Sequence, residues 1–431
     1  MISVLNHLQQ LSGNKSLLYI SCILLIVSCG TLSATRKSEV VLQPVEDIQT
    51  NHNTQSNGVV VVTDNKKNQK HNKNNTVVFM GQTFQVPASN VDEYKIAVIL
   101  PFCFNKDGKL SEQLRSVSME YFEGVELALE ELRNKGVNVH TEVFDSQNDS
   151  NVVANLLKQD YLKKIHLIIG PVYDHELRLV ERHCSVYGIP LVSPLRFYAK
   201  KNRTSVPVFN PVSDDSNRHY FAALQLIRYY GSHKFVLYND NTAEGFPARR
   251  AFVRAFTEMK KTLPTVTLDA LKSTIADGKD IIVIAPVKSD VSVHHLLNLV
   301  AGKKHVQVVG LDDWFDFPII PFATWAKCNL MFYNNNTVNQ QDSEILLFNE
   351  NYSYKYGGMP GKLSYIGYDQ ALFFVEALSA FGSNFGAYIQ DNIFPLKHTS
   401  FQFTHMSNDS YANKFVNLLR LNADFELEKI N

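Results

Sequence analysis

The sequence predicts an α/β protein of two doubly wound parallel-sheet lobes with a cleft between them, on three observations. Between Lys95 and Pro194 one unit recurs three times: a short apolar run, a polar loop, and a helix with a single apolar stripe. A second series of the same kind follows Pro194. The apolar runs are too short for helices, rich in β-branched residues and apolar on both faces, as buried parallel strands are. Each crossover must pack back onto its sheet in the right-handed sense, so strands alternating with amphipathic helices give a parallel sheet covered on both sides.

The strands of the first series are Lys95–Pro101, His166–Pro171 and Gly188–Pro194. Between them Leu114, Val117, Tyr121, Val125, Ala128, Leu129 and Leu132 fall on one helical face. Val152, Val153, Leu156 and Leu157 mark a second helix, and Leu177, Val180, Cys184 and Tyr187 a third. In such sheets the ligand crevice lies beyond the carboxyl ends of the strands, so the loops beginning at Phe102, Pro171 and Leu195 are the ones to watch. After the run Val206–Asn210, Asp214 or Asp215 can cap a helix through Tyr230. Strands at Lys234–Tyr238, Asp280–Ala285 and His305–Gly310 alternate with helices at Pro247–Met259 and Val291–Val300. Asn329–Tyr333 reads as one more strand, and Ser343–Tyr356 and Tyr365–Phe381 as helices. In the tail, Thr399–Thr404 and Ala412–Leu421 alternate as an antiparallel pair does.

A chain of 431 residues has room for two or three domains. Its 42 basic and 42 acidic residues leave no net field, which disfavours nucleic acid as a partner. At the N-terminus Lys15 precedes an apolar stretch, Leu17 to Val27, that is short for a membrane span and ends in Ile26-Val27-Ser28-Cys29-Gly30. Small and branched residues before a cysteine resemble the lipobox of bacterial lipoproteins. The resemblance implies a signal peptide over 1–28, lipidation of Cys29, and a periplasm-facing place in the bacterial cell envelope, with Gly30 favouring the outer membrane over the inner. An uncleaved membrane anchor is the other reading, since Lys15 is the only lysine or arginine before the stretch. With Cys29 lipidated and Cys22 removed, Cys103, Cys184 and Cys328 remain, an odd number that precludes complete internal pairing. Cys184 lies on a core stripe, and Cys103 reads as inert packing because no Cys-x-x-Cys accompanies it.

Residues 29–93 are dominated by Asn, Gln, Lys, Ser and Thr and read as a disordered tether, with too little apolar surface to offset the entropy of ordering. Met80–Pro87 is similar to the last strand of a LysM wall-binding repeat; lacking an upstream half, it reads as bare linker.

From Tyr94 onward the chain resembles the type I periplasmic solute-binding proteins of the leucine-binding-like family. The likeness is carried by Lys95–Pro101, by Tyr121-Phe-Glu-Gly-Val-Glu-Leu-Ala128, by Phe144-Asp-Ser-Gln147, and by Ile168-Ile-Gly-Pro171. Gly188–Pro194, Val309-Gly-Leu-Asp312 and Ile366-Gly-Tyr-Asp369 follow in the family's order. It implies two lobes, 94–207 plus 335–385 and 208–334 plus 386–431, joined by three crossings near Val206, Asn334 and Phe385, with a ligand clamped by hinge closure. The function implied is non-enzymatic capture of a small polar, amino-acid-like metabolite for an ABC-type transporter. Carried over position by position, the ligand-binding residues are Tyr173, Ser193 and Arg196 from the first lobe and Asp240, Asp312, Asp313 and Trp314 from the second. No cofactor and no metal are implied.

One loop departs from the amino acid binders. They place small and hydroxyl residues after the fourth strand, where this chain has Leu195-Arg-Phe-Tyr198. A second branch of the same fold therefore stands as the alternative: envelope lipoproteins that activate penicillin-binding proteins by touching a cell-wall synthase rather than capturing a solute.

Residue chemistry leaves both readings open at each position. Arg196 can clamp an anionic group through its planar fork, or belong with Lys200, Lys201 and Arg203 to a solvated basic loop. Asp312 and Asp313 can receive an ammonium or a sugar hydroxyl, with Trp314 or Tyr173 stacking on an apolar face, or form a loop cap beside a buried tryptophan. His175-Glu176 lacks the second histidine a zinc protease needs, and neither a Gly-x-Ser-x-Gly elbow nor a Gly-x-Gly-x-x-Gly phosphate loop occurs.

Overall fold

A computed structural model describes residues 74–87, 91–199, 206–318, 320–335, 342–406, 409–422 and 425–430; Cys29 and the signal segment lie outside the described residues. The chain opens with a hairpin, β1 (Asn74–Phe79) and β2 (Gln82–Pro87). The first lobe follows: β3 (Tyr94–Leu100), α1 (Lys109–Asn134), β4 (Val139–Asp145), α2 (Ser150–Leu156), β5 (Leu167–Ile169), α3 (Asp174–Tyr187), β6 (Leu191–Val192) and β7 (Val208–Asn210). The second lobe comprises α4 (Asp215–Tyr230), β8 (Lys234–Tyr238), α5 (Phe246–Glu258), β9 (Thr265–Val266), α6 (Leu268–Thr274), β10 (Ile281–Ile284), α7 (Asp290–Val300), β11 (Val306–Leu311) and β12 (Asn329–Asn334). Then come α8 (Ser343–Tyr356), α9 (Lys362–Phe381), β13 (Phe394–Pro395), β14 (Ser400–Phe401), β15 (Phe403–His405), β16 (Ser410–Asn413), β17 (Asn417–Leu421) and β18 (Leu427–Lys429).

Two seven-stranded sheets result, ordered β15-β16-β7-β6-β5-β3-β4 and β18-β17-β12-β11-β10-β8-β9. The period of two along β3 explains why its strand is apolar throughout. Ile96, Val98 and Leu100 join the core under α1 and α9, while Ala97 and Ile99 join a separate core under α2 and α3. β5 divides the same way, Leu167 and Ile169 to one side and Ile168 to the other. Val117 and Tyr187, at the margins of their predicted stripes, are exposed.

Three crossings join the lobes. β7 ends at Asn210 and leads to α4, whose Asp214 cap accepts the Asn217 N–H at 2.6 Å. β12 ends at Asn334 and returns the chain to α8 and α9, which pack on the first lobe. β16 ends at Asn413 and β17 begins at Asn417. β16 is parallel to β7, β12 is parallel to β11, and β17 is antiparallel to β12. All three crossings therefore leave or enter at the carboxyl edges of the parallel strands, and those edges meet across the hinge.

Three expectations are corrected. The third crossing is at 414–416, not near Phe385, so residues 386–413 belong to the first lobe along with β7. The cause is packing: β16 pairs with β7, and Phe385 stacks on Phe209 with ring centroids 4.6 Å apart. The antiparallel pairing of the tail, expected for Thr399–Thr404 with Ala412–Leu421, holds only where Phe403 and Thr404 of β15 meet Asn413 and Ala412 of β16 in the first sheet; the rest of the second run, β17, pairs with β12 and β18 in the other sheet. Finally, residues 74–87 are no bare linker. Met80 and Gly81 take positive φ of 48° and 76° at the hairpin turn, and the alternation buries Val77, Phe79 and Val86 against α9.

Candidate functional site

The carboxyl edge of the first lobe is organised by Asp145, the last residue of β4. Its carboxylate accepts the N–H groups of Cys103 (2.9 Å), Phe104 (3.0 Å) and Gln147 (2.9 Å), so one side chain shapes the loops after both β3 and β4. Arg115 closes the first loop from α1 by donating to the carbonyls of Cys103 (2.7 Å) and Lys106 (3.0 Å). The Cys103 thiol is buried and pushed up by that burial, with Asp145 adding, which makes it an inert packing group. Phe104 is left 58% exposed, stacked on Phe102 at a centroid distance of 5.3 Å. Behind this edge Glu176 is fully buried with one oxygen unpartnered; burial pushes it up to about 7, against hydrogen bonds from Ser146 and the Asp149 N–H.

The loop after β6 does not present its hydroxyl. Ser193 is fully buried and donates to the Arg196 carbonyl at 2.6 Å. Tyr198 turns inward and donates to Glu181 at 2.7 Å. The tight turn throws Arg196 outward, where its guanidinium lies 5.5 Å from the centre of the Tyr173 ring. Tyr173 and Arg196, predicted from separate loops, thus form one unit.

On the second lobe the predicted residues divide. The Asp240 side chain is 1% exposed, paired to Arg249 at 3.0 Å and bonded by the Thr242 hydroxyl at 2.9 Å. Trp314 is fully buried and its indole N–H donates to the Val287 carbonyl at 2.8 Å. These two, like Ser193, face inward and are occupied by the protein itself. Asp312 is half-buried and Asp313 exposed at the start of the turn after β11. Burial raises the Asp312 carboxyl, and Arg218 opposes it.

Sequence reasoning missed Arg218 and Lys288. Arg218 projects from the first turn of α4 to within 3.1 Å of Asp215 and 3.8 Å of Asp312, and its Nε is buried without a partner. Lys288, in the loop after β10, stands 4.0 Å from Asp215. Both lie at carboxyl edges, and the position of Lys288 after a buried strand was the available signal. Arg218 carried none, because an arginine in a first helical turn reads as an ordinary surface residue. The charge of Lys362, at the start of α9 on the first lobe, acts on Asp312, so the two lobes face each other here. The first lobe offers Arg196 stacked on Tyr173, and the second offers Arg218 and Lys288 among Asp215, Asp312 and Asp313. Among the described residues no group of three or more His, Cys, Asp or Glu could hold a metal ion, and no helix is long and apolar enough to cross a membrane.

No family model and no curated protein matches the chain. Solved structures do. A branched-chain amino acid ABC transporter protein from Rhodospirillum rubrum is 15% identical, with a TM-score of 0.57 over 78% of this chain and 100% of that one. An ABC transporter substrate-binding protein from Desulfitobacterium hafniense, in complex with Leu, is 17% identical over 79% of this chain and 100% of its own, with a TM-score of 0.43. A branched-chain amino acid ABC transporter periplasmic ligand-binding protein from Burkholderia xenovorans is 14% identical over 78% and 94%, with a TM-score of 0.49. With the paired sheets, the reversed tail strand and the three crossings, the Rhodospirillum likeness settles the architecture: the chain has the type I periplasmic-binding-protein fold.

Proposed function

We propose that this is a lipid-anchored, non-enzymatic solute-binding protein of the bacterial cell envelope, which captures a small polar metabolite of the amino-acid-like class between its lobes for an ABC-type transporter. The observation that carries the reading is the meeting of both carboxyl edges at a three-stranded hinge, with Tyr173 and Arg196 on one side and Asp312 and Asp313 beside Arg218 on the other. A carboxylate of the ligand would pair with Arg196 or Arg218 and an ammonium with Asp312 or Asp313. The fold supports the reading, and so does the name of the Rhodospirillum protein that shares it. The lipid anchor rests on Ile26–Gly30, and replacing Cys29 by Ser is expected to release the protein from the membrane fraction.

The test is a thermal shift series on purified, ligand-free protein against amino acids, peptides, sugars and nucleosides. Occupancy at a hundred times Kd stabilises by about 2.7 kcal/mol, which is readily visible. Protein unmoved by every class overturns solute capture.

One observation favours the second reading, an envelope lipoprotein that touches a partner such as a cell-wall synthase. The Ser193 hydroxyl is taken by its own loop and Arg196 is exposed on Tyr173, which leaves this edge shaped for contact with a surface. Crosslinking in cells that recovers only a transport permease ends that reading.

A further inference from the structure

A recess of about 920 Å³ opens on the first lobe at the end opposite the cleft. Its walls are the last turn of α1, the start of α8, the middle of α9, the tip of the β1–β2 hairpin and the loop after β13. Since α1 begins beside the carboxyl edge and runs 26 residues away from it, the recess is remote from Arg196 and Asp312. Its volume lies within the range of small-molecule pockets.

Glu376 of α9 lines this recess with 6% of its surface exposed, and among the described residues it has no hydrogen-bond or ion-pair partner. The two lysines at the rim are already engaged. Lys135 lies 2.8 Å from Glu131, and Lys397 lies 3.1 Å from Glu344. Burial pushes the Glu376 carboxyl up, Lys135 partly offsetting and Glu131 adding. Beside it Leu372 is buried, and Met80 and Leu396 are half-buried. A buried carboxylate without a partner is costly, and with Leu372, Met80 and Leu396 beside it, it is the complement of a cation carried on an aliphatic stem.

We propose that this recess is a second binding site, separate from the cleft, for the ammonium or guanidinium end of an aliphatic cation, with Glu376 as its counter-ion and Leu372, Leu396 and Met80 along its stem. The hairpin tip completes the wall, which gives β1 and β2 a role beyond covering α9. The same chemistry is presented by a free diamine and by a lysine side chain of a partner segment, and the site does not depend on what the cleft binds.

The experiment is calorimetric titration of the full chain with 1,5-diaminopentane, with acetyl-Gly-Lys-Gly-amide, and with 1-pentanol as the neutral control. Saturable binding of either cation, at least tenfold weaker in Glu376→Gln and absent for 1-pentanol, supports the site. Binding of the diamine alone identifies a free amine, and of the peptide alone a partner's side chain. Glu376→Gln keeps the shape and removes the unpaired charge, so its melting temperature is expected to equal or exceed that of the parent. Leu372→Trp, which crowds the wall beside Glu376, is expected to weaken binding of either cation as a steric check. No binding of either cation to the parent protein, or equal binding to Glu376→Gln, overturns the proposal.

Discussion

Asp369 Oδ2 lies 2.5 Å from His398 Nδ1, and both side chains are almost wholly buried. The same oxygen accepts the backbone N–H groups of His398 (3.1 Å) and Thr399 (3.3 Å), and the Thr399 hydroxyl donates to the Asn335 carbonyl just beyond β12. A carboxylate on α9 thereby holds the loop that touches the second crossing.

Asp369→Ala leaves the two buried amides of His398 and Thr399 without their acceptor and removes the carboxylate beside the His398 imidazole. The expected loss is about 3 kcal/mol of unfolding free energy, read from urea denaturation. A loss below about 1 kcal/mol would mean that water takes over the role of the carboxylate.

Gly124 is the point of closest approach between α1 and α9. A Cβ there would stand 1.8 Å from the Ser364 carbonyl oxygen, and one at Gly367 would stand 2.0 Å from that of Tyr121. Because both obstacles are backbone, neither can rotate away. Gly124→Ala is expected to destabilise by about 3 kcal/mol despite the better helix propensity of alanine, with thermal melting as the check.

Phe79 inserts from the hairpin among Phe373, Phe381 and Phe394, with ring centroids 5.4, 5.2 and 5.1 Å away. Phe79→Ala is expected to cost about 3 kcal/mol and to open the hairpin before the lobes unfold. Limited proteolysis should then cut near Asn74–Pro87 first, and an unchanged cleavage pattern would show that the hairpin is held by other contacts.

Two buried groups bend the pH dependence in opposite senses. Burial, with Arg218 adding, pushes His219 down to about 4, while burial pushes Glu176 up to about 7. For His219 the unfolded chain binds the proton first, so its contribution is present above about pH 6.5 and lost as pH falls toward about 4. For Glu176 the folded chain binds it first, so its contribution is present below about pH 4.5 and lost as pH rises through about 7. Each amounts to at most about 3 kcal/mol. Denaturation across pH 4.5–7 is expected to slope downward with pH in His219→Gln and upward in Glu176→Gln. Parallel profiles in the two variants would contradict both assignments.

The elements legible in the sequence were those whose pattern is local. Lys234–Tyr238 and Ser343–Tyr356 fall where the apolar run and the helical stripe put them, and Asp214 caps its helix as its position suggested. What eluded the pattern depends on partners distant in the chain. The split between β16 and β17 is decided by β7, about two hundred residues before β16, and by β12, about ninety residues before β17, and nothing between Ala412 and Leu421 announces it. The hairpin was hidden by the polar composition around it, since a few apolar residues suffice when α9 offers them an aromatic floor. At the carboxyl edges, residue type singled out charged and aromatic side chains but could not give their direction. Ser193, Asp240 and Trp314 turned inward because each found a bond within its own lobe.

The hairpin also decides which half of the molecule is held. Because β1 fastens to α9, the described chain enters the molecule through the first lobe. Under the solute-capture reading proposed above, that lobe would be the fixed jaw and the one built on β8 to β12 the travelling jaw, so a transporter would read displacement against a stationary frame.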